Sequence, residues 1–89
     1  MTEYELHQLE KILNVCKDFT PDKFNELSAL AYHVSYMEYE RKALDAAFQR
    51  YSRLKRSGDK AKAWDRVTDQ VFRLRTVAES AIFCKSSKQ

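Results

Sequence analysis

Residues 21–57 read PDKFNELSALAYHVSYMEYERKALDAAFQRYSRLKRS, and the fold turns on how this stretch behaves. It starts at the only proline of the chain, Pro21, and ends beside the only glycine, Gly58. Neither of the two strongest helix breakers occurs between them. Thr20 reads as an N-cap, Pro21 as the first helical residue, and Asp22 as an acidic group at the positive helix end. Phe19 and Phe24 flank the cap at the spacing of a hydrophobic staple. These signals predict one helix over 21–57, roughly 55 Å long at 1.5 Å per residue.

A three–four alternation along this helix picks out Leu27, Leu30, Val34, Met37, Arg41, Leu44, Phe48 and Tyr51. That is a heptad seam broken once, at Arg41. A buried arginine needs a carboxylate, and Glu38 and Asp45 lie one turn away on either side. A bend or a change of neighbour at that point is the other explanation, with Arg41 left at the edge of the seam. On the opposite face stand Tyr32, Tyr36, Tyr39, Ala43 and Ala46, again three and four apart. An apolar or aromatic stripe on both sides of one helix implies burial on both sides. A shorter N-terminal helix over 3–17, helix one, is expected to cover the tyrosines, or they form a subunit or partner interface. The two hold together, because helix one is too short to reach Ala43 and Ala46.

Outward from this helix, Ser57, Gly58 and Asp59 read as a turn, with Gly58 left-handed at C′ and Asp59 capping the next helix. A helix over 59–84 follows, with Trp64, Val67, Val71, Leu74, Ala78 and Ala81 on its apolar stripe and Phe72, Val77 and Ile82 widening it. A shorter helix over 3–17 precedes, opened by a Thr2/Glu5 capping box and carrying Leu6, Leu9, Ile12, Leu13 and Cys16. The expected architecture is all-α: a long antiparallel hairpin of helices 21–57 and 59–84, with the N-terminal helix beside it. Residues 1–84 form one domain and 85–89 a frayed polar tail. A core from 89 residues is small, which favours assembly into a helical-bundle oligomer, a dimer first.

One glycine excludes dinucleotide-binding and phosphate-binding loops built from several. His7, His33, Cys16 and Cys84 show no metal-ligand spacing, and the cysteines fall on or near apolar stripes as inert thiols. Glu38 with Lys42, and Asp69 with Arg73, read as ordinary i,i+4 surface pairs. No catalytic, cofactor or metal site is expected, and no enzyme. No run is apolar enough to span a membrane and the N-terminus has no signal-peptide character, so a cytoplasmic location is expected.

The net charge of +3 is unevenly spread, −3 over residues 1–22 and +5 over 50–66. The basic surface comprises Arg50, Arg53, Lys55, Arg56, Lys60, Lys62 and Arg66, with Arg73 beyond. Trp64 and Tyr51 stand among these cations, as stacking aromatics do in nucleic-acid binders, but both sit on seam positions and read more simply as core. The expected function is that of a small helical interaction protein of adaptor, chaperone or inhibitor type, a class that phages and mobile elements often supply. Its expected partner is a protein, met through Tyr32, Tyr36, Tyr39, Arg41, Ala43 and Ala46, and an acidic protein would suit the basic surface. Nucleic acid at residues 50–66 is the alternative partner.

Overall fold

A computed structural model of the chain describes the backbone of residues 2–87 and the side chains of residues 2–84. All regular structure in it is helical: α1 Glu3–Lys17, α2 Phe24–Tyr32, α3 Glu38–Arg53 and α4 Ser57–Ser87, with single 3-10 turns at Pro21–Lys23 and Ser35–Met37. The all-α class is as expected. The connectivity corrects the long hairpin: the stretch expected as one helix over 21–57 breaks at His33–Val34 and folds back on itself.

The break needs no glycine or proline. Tyr32 through Tyr36 (Tyr-His-Val-Ser-Tyr) are five residues of middling or poor helix propensity in a row. Val34 takes extended backbone, φ −115° and ψ 104°, and its side chain is fully buried together with Ala31 and Met37. The turn is thus plugged by its own apolar residues. The physical reason lies in coverage: along a continuous helix of that length, helices one and three would overlap only near the middle, so most of the seam would have a single partner helix and remain half open to water. Folding back lets both halves face one core, and that burial outweighs the few tenths of a kcal/mol per residue that separate helix propensities.

The result is an antiparallel four-helix ring. Phe24 meets Phe48, Ser28 meets Asp45 and Tyr32 meets Arg41, so α2 runs opposite to α3. Cys16 lies against Val71 and Phe19 against Trp64, so α1 runs opposite to α4. Each helix packs on its two ring neighbours, α1 on α2 and α4, and α3 on α2 and α4. Leu9, Ile12, Leu27, Val34, Met37, Leu44, Val67 and Leu74 form the fully buried centre. The expected seam residues therefore do line the core, from two helices and a turn rather than from one helix. Arg41 alone among them is polar, and it sits at the rim of that core. The rod measures 50 × 20 × 18 Å, its length set by the 31 residues of α4.

Several local expectations change. The Thr2 hydroxyl accepts the Glu5 amide at 3.1 Å, as a cap should. Thr20 caps nothing; its hydroxyl donates to the Asp22 carboxylate instead. Phe19 and Phe24 go to different partners: Phe19 stacks on Trp64 with centroids 5.7 Å apart, and Phe24 on Phe48 at 3.9 Å. Phe72 faces outward from α4 rather than widening its apolar stripe. The backbone of α4 continues to Ser87, and the rest of the tail expected over 85–89, with its side chains, lies outside the described residues.

Gly58 lies inside the first turn of α4, without positive φ, so it is no left-handed C′ residue, and Asp59 belongs to that first turn rather than capping it. The chain turns at Leu54 instead, whose extended ψ of 141° closes α3. A Cβ on Gly58 would meet nothing within 4 Å. Gly58→Ala is therefore expected to raise stability by about 0.5 kcal/mol in urea unfolding, because alanine restricts the unfolded chain and fits the helix. A left-handed Gly58 would give a loss instead.

Candidate functional site

The bundle has two chemically different ends. At one end α1 begins, α2 stops and α3 starts, and aromatic rings gather there. Tyr4 meets His33 edge-on at 6.3 Å, and His33 meets Tyr32 edge-on at 5.8 Å. The Arg41 guanidinium lies 5.3 Å from the Tyr32 ring centroid and donates to Asp45 at 3.1 Å. Asp45 also accepts the Ser28 hydroxyl at 3.0 Å, which ties α3 to α2. Tyr32 is thus held from beneath by a half-buried ion pair while its outer face meets water. Arg41 takes Asp45 of its two candidate carboxylates; Glu38 pairs with Lys42 at 2.9 Å. The Lys42 ammonium beside it holds the Glu38 carboxyl below its usual range.

The tyrosines expected on one helical stripe stand on three elements. Tyr32 ends α2, Tyr36 lies in the 3-10 turn, and Tyr39 opens α3. Helix one does not bury them: Tyr32 is 69% exposed and Tyr39 80% exposed. Tyr36 is less exposed, and burial together with the Glu5 carboxylate pushes its hydroxyl upward. Ala43 is half-buried, and Ala46 is exposed beside α4 rather than beside the tyrosines. Tyr4 and His33 join the set without having been marked by the sequence. Tyr4 belongs to another helix, and only the fold-back brings its ring to His33.

At the opposite end α3 closes and α4 begins. Five rings run through the core there: Phe24, Phe48, Tyr51, Trp64 and Phe19. Tyr51 and Trp64, half-buried in that chain, serve the core as expected. Lys60 lies over Tyr51 at 4.4 Å and donates to its carbonyl oxygen. Arg73 is taken up by Asp69 at 3.2 Å. Arg53, Lys55 and Arg56 are exposed at the α3–α4 connection. Arg50, Lys62 and Arg66 line an open groove between α3 and α4 that also includes Ala46, Ala47, Ala63 and Gln70. The groove escapes sequence reading because its floor comes from two helices whose rotation about each other is set only by packing.

Reactive groups are sparse. Among the described residues no three of histidine, cysteine, aspartate and glutamate come together as a metal site would require. Cys84 is exposed, which corrects its assignment to an apolar stripe. Cys16 is buried, and desolvation pushes its thiol from 9.0 up to about 11, against the lowering effect of nearby Arg75. No helix among the described residues is long and apolar enough to cross a membrane.

The raised thiol gives a pH signature. Below pH 9 Cys16 is protonated in the native and unfolded chains alike, and its contribution to stability is constant. Between 9 and about 11 the unfolded chain releases the proton while the native chain keeps it, so stability falls as pH rises. Comparison with a variant that lacks only the thiol cancels every group the two chains share. The expected result is therefore a difference: urea midpoints of the wild type fall more steeply over this window than those of Cys16→Ala. Parallel curves would mean that the thiol is not desolvated.

No protein-family model matches this chain, and comparisons with curated proteins and with solved structures return no similar protein.

Proposed function

We propose that this chain is a small interaction protein without catalytic activity, of adaptor, chaperone or inhibitor type. It binds a protein partner through its aromatic end, and the same surface supports self-association into a dimer. One observation carries this reading: the fold-back at His33–Val34 leaves Tyr32 and Tyr39 on the surface at 69% and 80% exposure, close to Tyr4 and Tyr36. Tyrosine supplies a large rigid contact area at low entropy cost and is enriched where binding energy concentrates. Tyr32 is also pre-organised, because Arg41 and His33 fix its ring before any partner arrives.

A nucleic-acid role at the basic end has weaker support. Stacking on bases needs exposed rings beside the cations. Tyr51 and Trp64 are committed to the core, and the large exposed aromatics among the described residues all lie elsewhere.

The test is Tyr32→Ala with Tyr39→Ala. Both side chains are mostly exposed, so unfolding stability is expected to change by no more than about 0.5 kcal/mol. Affinity capture from the native host, quantified by mass spectrometry, is expected to show a protein held by the wild type and lost by the double variant. Light scattering at micromolar concentration is expected to give twice the 10.5 kDa chain mass for the wild type and the single mass for the variant. Equal retention of every captured protein by both forms would overturn the partner role of the aromatic end. A wild-type mass of 10.5 kDa would overturn the dimer.

A further inference from the structure

We propose that the groove between α3 and α4 seats an acidic amphipathic helix of a partner protein. This surface is distinct from the aromatic end and stands on different observations. The floor is made by Ala46 and Ala47 of α3 and Ala63 of α4, and the walls by Arg50, Lys62 and Arg66. Methyl side chains let a third helix settle between two antiparallel ones at the 8–10 Å axis spacing of packed helices. Adjoining hollows of about 340 and 530 Å³ share Arg50, Ala63 and Arg66, so the groove is continuous along both helices.

Charge selects the occupant. None of Arg50, Lys62 and Arg66 has an ion-pair partner among the described residues, whereas Arg41, Lys42, Arg73 and Arg75 each have one. The free cations stand on both sides of an apolar floor. A helix with small apolar residues at three–four spacing and carboxylates flanking them satisfies both features at once. A phosphate backbone uses the cations but gains nothing from three methyl groups; Asp59, and Asp69 paired with Arg73, oppose either anion alike and do not decide between them. A second copy of this chain fits poorly. The outward face of its most acidic helix, α1, mixes Glu3 and Glu10 with Lys11 and Lys17.

The experiment is fluorescence anisotropy with a labelled synthetic helix of about 18 residues, five turns, with leucine and alanine on one face and glutamate on its flanks. A peptide of equal charge without the apolar face and a DNA oligonucleotide serve as comparison ligands. The amphipathic peptide is expected to bind, and to bind at least about tenfold more weakly to the Arg50→Gln, Arg66→Gln double variant. Ala46→Trp fills the floor without touching charge. It is expected to weaken the peptide by a similar factor, with circular dichroism confirming that both variants are folded. The tyrosine variant should bind the peptide as the wild type does, which separates this surface from the aromatic end. Absence of binding by the amphipathic peptide overturns the proposal, as does equal binding of the peptide without an apolar face. Tighter binding of DNA that survives Ala46→Trp assigns the groove to nucleic acid. A wild-type dimer that Ala46→Trp dissociates assigns it to a second copy.

Discussion

Burial of Val34 at the α2–α3 turn is the constraint on which the rest of the structure depends. A seam that runs from Leu27 to Tyr51 along one helix meets a single partner over most of its length when its two partners reach it from opposite ends. The chain resolves this by bending at its weakest helical segment and putting the apolar residues of the bend itself inside. Once Val34, Ala31 and Met37 are buried together, α2 and α3 must lie side by side. The gap they leave is then closed by α1 on one side and α4 on the other. A small chain thereby gains one shared core in place of two half-covered contacts.

The same bend polarises the molecule. It carries the tyrosines to one end, because they flank Val34 in sequence and only every third residue there, Ala31, Val34 and Met37, is buried. It sends the end of α3 and the start of α4 to the other end, where the cations cluster. The aromatic surface gathers at the start of α3, while the cations stand toward its close and along the first turns of α4. Each surface is backed by a different device. Beneath Tyr32 lies an ion pair with a hydroxyl bonded to it. Beneath the cations lies a stack of rings.

Much of the core was legible in the sequence. Leu27, Val34, Met37 and Leu44 were identified by spacing alone, as were Val67, Val71, Leu74 and Ala78, because burial follows periodicity whichever helix is the neighbour. The i,i+4 pairs of Glu38 with Lys42 and Asp69 with Arg73 were legible for the same local reason. The break was not. A heptad read straight through His33–Val34 stays in phase, since the 3-10 turn preserves the inward positions of Val34 and Met37. The only signal was the run of weak helix formers from Tyr32 to Tyr36. Gly58 misled in the opposite sense, since a lone glycine after a basic run resembles a helix stop. The surfaces were legible only in part. Tyr32, Tyr36 and Tyr39 were marked as unusual, but their exposure and the presence of Tyr4 required the topology. The groove required the rotation of α4 about α3.

The ring arrangement also sets an order of folding. Contacts within the α2–α3 hairpin span short loops, as between Ser28 and Asp45, 17 residues apart. Closure of α1 on α4 joins Cys16 to Val71 across 55 residues. Loop entropy makes that closure costlier by about 1 kcal/mol, and it gains its contacts only after both intervening turns exist. By the same reasoning the α3–α4 hairpin, where Tyr51 meets both Lys60 and Trp64, is cheaper still to close, and the α1–α4 seam is the costliest. That long closure makes the α1–α4 seam the line along which the bundle is expected to part first. Opening along that line requires no change in the α2–α3 turn, where Tyr32, Tyr36 and Tyr39 stand.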